Sequence, residues 1–168
     1  PPDHAPVTIK VSLGELNRFL YQKRMIERVD GISGDIVECG VGNGKTLMYW
    51  AFLVLDEGVK RNIWGFDSFE GFPEPSGSDE SPRKPQKGQW GNVSIQKVQN
   101  ILLQSGVSTE FVRSQITLIK GFFENSLHKY TGENIALLHL DCDLYQSYLD
   151  ALNILYPKVV PGGVIALD

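Results

Sequence analysis

Apolar positions recur along this chain of 168 residues in two alternating rhythms. Between residues 12 and 29, Leu13, Leu16, Phe19, Leu20, Met25, Ile26 and Val29 fall at three- and four-residue steps, as on one face of an amphipathic helix. Ser12 and Glu15 stand at capping-box spacing at its start. Further on, short runs that are apolar on both faces occupy 35–38, 63–66, 116–119, 135–140 and 164–167. Helical patterns separate them at 46–56, 93–105, 124–130 and 144–156. Strands buried on both faces and linked by helices predict a parallel sheet covered on both sides, the doubly wound α/β class. The expected organisation is an N-terminal segment, 1–33, carrying the amphipathic helix, and an α/β domain over 34–168. No internal repeat is visible.

Ligands of doubly wound sheets sit beyond the C-terminal ends of the strands, so the residues there form the functional shortlist. They are Glu38 with the glycines Gly40, Gly42 and Gly44, then Asp67-Ser68, Gly121-Phe122-Phe123-Glu124, Asp141-Cys142-Asp143, and Asp168. Four of the five ends carry an acid. Four carboxylates at one sheet edge repel one another, and a bound cation, or ligand hydroxyls and amines, would offset that cost. The loop Glu38-x-Gly40-x-Gly42-x-Gly44 suits a nucleoside-bearing ligand in a Rossmann-like crevice. The dinucleotide fingerprint fails, because its last glycine falls on Lys45. Gly44-Lys45-Thr46 matches the end of a P-loop, but the first glycine of that motif falls on Cys39. A glycine turn that only packs stays open, as does a P-loop-like phosphotransferase.

The acids divide by position. Asp67 ends the second strand, where a carboxylate can accept ribose hydroxyls; a turn or cap aspartate is the other reading. Asp141, Asp143 and Asp168 end neighbouring strands and together make a hard oxygen site suited to Mg²⁺. Such an ion acidifies a substrate hydroxyl, and a neighbouring carboxylate can take the proton. Against this stands Asp143 as a simple cap of the helix near Leu144. The irregular stretch 67–92, rich in Pro and Gly, is a substrate lid or a mobile surface loop. Trp90 within it could touch substrate, whereas Trp50 and Trp64 read as core. His139 reads as a hydrogen-bonded core histidine, and His4 and His128 as surface residues. Tyr145, Tyr148 and Tyr156 read as packing, and Lys45 as a helix-start residue or a ligand contact.

Composition narrows the classes. Apolar residues make up 42% and charged ones 21%, as in ordinary globular domains, and a net charge of −4 advertises no face for nucleic acid. No apolar run approaches the ~20 residues that span a bilayer, so no membrane partner is expected. The start, Pro-Pro-Asp-His-Ala-Pro, shows no signal-peptide pattern and no initiator Met, as expected of a trimmed chain. Cys39 and Cys142 are isolated and without metal spacing, the pattern of reduced thiols in a cytoplasmic protein. The sequence leaves a homo-oligomer open.

The glycine loop resembles the S-adenosylmethionine (SAM) loop of class I methyltransferases. More specifically, four blocks resemble the TylF/macrocin O-methyltransferase family. They are Val37-Glu38-Cys39-Gly40-Val41, Trp64-Gly65-Phe66-Asp67-Ser68-Phe69-Glu70-Gly71-Phe72-Pro73, Leu140-Asp141-Cys142-Asp143-Leu144-Tyr145, and Leu155-Tyr156-Pro157-Lys158 with Pro161-Gly162-Gly163. The resemblance implies a Rossmann-like, mostly parallel sheet of the class I type, lacking its last strands, with 34–168 as the SAM-binding unit. It also implies SAM- and Mg²⁺-dependent methylation of a small-molecule hydroxyl, notably on a sugar of a natural product. Glu38, Gly40, Asp67 and Ser68 would then contact SAM, Asp141 and Asp168 would bind metal, and Asp143 would be the base. Two departures are Gly42-Asn43-Gly44, where the family often has bulkier residues, and Ser126, where it commonly has Thr. A non-catalytic SAM-binding module is the alternative, and the acceptor is not named by any pattern in the chain.

Overall fold

The computed structural model describes residues 12–168, which leaves His4 and the N-terminal run outside it. Its elements are α1 (Leu13–Glu27), β1 (Asp35–Cys39), α2 (Lys45–Glu57), β2 (Ile63–Asp67), α3 (Ile95–Gln104), α4 (Thr109–Gln115), β3 (Ile116–Lys120), α5 (Phe123–Ser126), β4 (Ile135–Leu140), α6 (Tyr145–Leu155) and β5 (Val159–Leu167). Every strand pair is parallel, in the order β3-β2-β1-β4-β5. The chain winds outward in one direction from β1 and in the other from β4. The crevice of such a sheet therefore lies beyond the β1 and β4 ends.

Local chemistry explains the element ends. At the start of α1 the Ser12 hydroxyl accepts the Glu15 amide (3.2 Å) and the Glu15 carboxylate accepts the Ser12 amide (2.9 Å), the reciprocal cap its spacing predicts. Alternation along β1 sends Ile36 and Glu38 to one face and Val37 and Cys39 to the other. The first face is closed by α1, α2 and α3 through Ile26, Leu47, Trp50 and Val98. On the second, Leu127, Ala151 and Leu155 cover Val37, Leu138 and Leu140. Arg61, 2% exposed, is bonded through its fork to Glu57 and to the carbonyls of Val29, Ile32 and Gly34. It fixes the α1–β1 connection against the end of α2.

Three boundaries differ from those expected. The helix predicted over 93–105 is followed by a separate α4, because Gly106 (φ 94°) breaks the run and Ser108 accepts the Phe111 amide at 3.1 Å to start again. The helix predicted over 124–130 is one turn of α5 and then a 3-10 turn, Leu127–Lys129. β5 starts five residues early: Val159 pairs with Ile135 and Val164 with Leu137, so Pro161-Gly162-Gly163 bulges out inside the strand.

Cys39 and Cys142 are both buried and free. Burial pushes both thiols well above their ordinary values, which makes them unreactive packing residues. Among the described residues no helix is long and apolar enough to cross a membrane.

Candidate functional site

One hydrogen bond at each junction sews the strand ends into a row. The Asp168 amide donates to the Leu140 carbonyl (3.1 Å), the Asp141 amide to Cys39 (2.9 Å), the Gly40 amide to Phe66 (2.8 Å) and the Gly121 amide to Asp67 (2.9 Å). All five shortlisted strand ends therefore meet at a single edge of the sheet.

The glycine loop is built against that edge. Gly40 has φ 94°, and a Cβ there would sit 1.9 Å from the Asp141 carbonyl oxygen, so no other residue fits. The Gly42 amide donates to Asp67 Oδ2 at 2.9 Å, and a Cβ on Gly42 would meet nothing within 4 Å, so this part of the loop opens outward. Gly44 occupies the N-cap position of α2 and packs on Val98. The Lys45 ammonium is paired with Glu15 of α1. It ties two helices together.

Other candidates have structural work as well. Asp67 Oδ1 accepts the Phe69 amide at 2.7 Å, so both its oxygens already brace loops. Ser68 Oγ donates to Gly71 O (2.7 Å) and accepts the Glu70 amide (3.0 Å), shaping the exit from β2. Gly121 O accepts the Ser126 hydroxyl (3.0 Å), and the Phe122 carbonyl accepts the amides that open α5.

Glu38 lies in the sheet rather than at its edge. It is 0% exposed, opposite His139 on β4, with Nδ1 3.3 Å from Oε1 but outside hydrogen-bonding geometry. His139 is thus a core residue as expected, but its Nδ1 has no hydrogen-bond partner within the protein. Both Glu38 oxygens, Gln22 Oε1 and Trp50 Nε1 are likewise unpartnered, and the Trp50 ring packs 5.7 Å from His139. A cavity of about 280 Å³ lined by Arg18, Tyr21, Gln22, His139 and Asp168 reaches this cluster. Burial pushes the Glu38 carboxyl up and His139 offsets only part of that; His139, pushed down by burial, is carried above its ordinary value by Glu38.

Of the remaining acids, Asp168 lines this cavity and Asp143 faces a second one. Burial raises the Asp141 carboxyl, and Asp168 raises it further; burial also raises Asp143, while Arg83 pulls it down. Among the described residues no group of three or more His, Cys, Asp or Glu side chains is gathered as a metal site. Asp143 sits at φ 62° and does not cap α6: Leu144 is the N-cap residue, with no side-chain bond. The Tyr145 amide is instead capped from the irregular 68–94 loop, by Asp79 Oδ1 at 2.7 Å. Arg83 of that loop lies 3.0 Å from Asp143 Oδ1. Between loop and α6 is a cavity of about 460 Å³, its walls including Phe72, Trp90, Asp143 and Tyr148. Trp50 is core and Trp64 half-buried, but Trp90 is 56% exposed on this wall.

Asp79, Arg83, Gln22 and the Tyr148 hydroxyl, which donates to Asp168 O at 2.7 Å, are absent from the sequence shortlist. Only Asp79 had a signal, the Ser76-x-x-Asp79 capping spacing, which the structure uses.

The chain matches the family model for macrocin-O-methyltransferase (TylF) over residues 13–168. It belongs to the TylF family. Among curated proteins, it is 30% identical to an 8-demethyl-8-(2,3-dimethoxy-alpha-L-rhamnosyl)-tetracenomycin-C 4'-O-methyltransferase of Streptomyces olivaceus, over 83% of this chain and 54% of that one. It is 28% identical to mycinamicin III 3''-O-methyltransferase of Micromonospora griseorubida, over 83% of this chain and 56% of that one. Among solved structures, CalS11, a calicheamicin methyltransferase, superposes with a TM-score of 0.82 at 25% identity, over 94% of this chain and 65% of that one. The O-methyltransferase NovP superposes at 0.77 with 28% identity, over 91% and 64%. The chain spans just over half the length of these curated relatives. Its doubly wound, Rossmann-like sheet is the one these methyltransferases carry.

Proposed function

We propose that this chain carries the SAM-binding and acceptor-activating part of an O-methyltransferase acting on a small-molecule hydroxyl, a sugar of a natural product. The observation that carries the reading is the contact at Gly40. With 1.9 Å between a would-be Cβ and the Asp141 carbonyl, the glycine loop and the acidic turn are two halves of one site. Its relatives are named for O-methyl transfer to a rhamnosyl-tetracenomycin and to mycinamicin III, which supports the hydroxyl class.

Residues 34–168 form the working unit. On the cofactor side, Gly40, Gly42 and Gly44 let the backbone approach SAM, with Gly121 and Phe122 flanking it. Asp67 keeps one free lone pair on each oxygen for ribose hydroxyls. Ser68 holds the turn beside it, and Glu38, whose carboxylate oxygens have no partner within the protein, would add a contact to SAM. On the acceptor side, Asp141 and Asp168, set at neighbouring strand ends by the Asp168 amide on the Leu140 carbonyl, would hold a divalent cation. Mg²⁺ accepts one or two carboxylates and fills its remaining positions with water. Bound SAM supplies the methyl group, and Mg²⁺ supplies a Lewis acid for the acceptor hydroxyl. Asp143 takes the hydroxyl proton, and the cavity wall excludes water and holds the hydroxyl toward the glycine loop.

The test uses labelled SAM, Mg²⁺ and a panel of rhamnosides with wild type and Asp141→Asn. The variant should lose at least about 10²-fold in turnover while S-adenosylhomocysteine (SAH) binding changes by less than about threefold. Equal loss of both would overturn the division of the site.

A further inference from the structure

Arg83 holds two partners at once on the wall of the larger cavity. Its Nη1 lies 3.0 Å from Asp143 Oδ1, and its guanidinium carbon lies 5.7 Å from the centroid of the Trp90 ring. A guanidinium is flat, weakly hydrated on its faces and rich in N–H donors at its rim. Its two partners are an aromatic face and a carboxylate. A saturated, polyhydroxylated ring asks for the same pair, with its C–H face on the indole and a hydroxyl donating to the carboxylate.

Trp90 is not held there by the core. It is 56% exposed, and its backbone is in the left-handed region at φ 64°, unusual for a bulky residue. The Phe72 ring props it edge-on at 5.1 Å, leaving an indole face turned to Arg83. An exposed, strained and buttressed tryptophan facing a cavity of about 460 Å³ has the features of a ligand platform. Asp79, bonded to the Tyr145 amide, pins the same loop to α6 and so fixes the platform relative to Asp143.

We propose that Trp90 is the surface on which the acceptor's sugar ring stacks, and that Arg83 is a built-in placeholder for that ring. The incoming ring displaces Arg83 from Trp90 and from Asp143 together, so Asp143 is released only when a hydroxyl arrives to replace the guanidinium. The inference rests on the methyltransferase reading for the role of Asp143.

Calorimetry on the SAH-saturated protein tests it, with methyl α-L-rhamnopyranoside and TDP-L-rhamnose as probes. Trp90→Ala should weaken sugar binding by about tenfold or more, and Trp90→Phe should keep it within about threefold. Arg83→Ala should tighten binding of the uncharged rhamnoside by about threefold, because a competitor is gone. The same variant should make fluorescence more open to acrylamide quenching, since Trp50 is fully buried and Trp90 is the exposed indole. This readout needs no acceptor and survives a Trp90→Ala variant that fails to fold. Weaker rhamnoside binding in Arg83→Ala, or unchanged quenching, would overturn the placeholder. Failure of both probes to bind wild type or Arg83→Ala while SAH binds would overturn the platform and leave the methyltransferase reading standing. Failure of SAH to bind would bring down that reading itself.

Discussion

The two walls of the site are anchored to the sheet in different ways. The strand-end wall is fixed by backbone: four inter-strand amides, a glycine with no room for a Cβ, and loops braced on Asp67. The 68–94 loop is braced within itself by backbone bonds of Phe72 with Gln89 and Gly88, but it is fixed to the strand-end wall and α6 by side chains, Asp79 on the Tyr145 amide and Arg83 on Asp143. Backbone contacts depend on the fold and tolerate few changes at the residues that make them. Side-chain contacts can be exchanged one at a time without disturbing the sheet. A common cofactor suits the first kind of wall and a particular acceptor suits the second.

The largest expected contrast is between two glycines. Gly40→Ala should cost about 3 kcal/mol or more in denaturant unfolding, through a clash with Asp141 added to a strained φ. Gly77→Ala in the loop, where a Cβ meets nothing within 4 Å, should stay within about 0.5 kcal/mol. Similar costs at both positions would erase the distinction.

A second contrast is in opening. Trypsin should cut the native chain first after Arg83 or Lys87, in the exposed loop, while Cys39 and Cys142 resist iodoacetamide until denaturant is added. Peptide mapping of one partly digested, alkylated sample reads both. Early labelling of Cys39 would mean that the strand edge opens locally.

The smallest effect is at Asp79. Burial pushes its carboxyl up, but the Tyr145 and Ser76 amides and the Ser76 hydroxyl outweigh this and hold it below 3.8. A depressed carboxyl stabilises the docked loop above its unfolded pKa, and that stability is lost as pH falls through the folded value. The loop should therefore loosen below about pH 3.8, by less than about 1 kcal/mol given its exposure. Trp90 fluorescence followed from pH 6 to 3 should show a step in wild type that Asp79→Asn lacks; a step in both would assign it to another group.

Legibility followed the same division. The strands, the Ser12–Glu15 cap and the gathering of the strand ends at one edge were readable because periodicity and capping are local signals. Alternation also carried a signal that went unused: Glu38 shares its parity with Ile36 and so points into the core beneath α1 and α2. The Arg83–Asp143 pair was not readable, since the loop has no period and its partner lies on another element. Pro161-Gly162-Gly163 fell outside the strand expected over 164–167, because only neighbouring-strand pairing shows it to be a bulge inside one.

The central claim is that the glycine-loop edge binds SAM. A thermal melt of this chain with and without SAH, at about 100 times its dissociation constant, tests it most directly. One-site binding adds about 2.7 kcal/mol, which for a domain of this size raises Tm by about 5–10 °C. A cooperative transition shifted upward by that amount is the predicted result. A cooperative transition that does not move would contradict the claim.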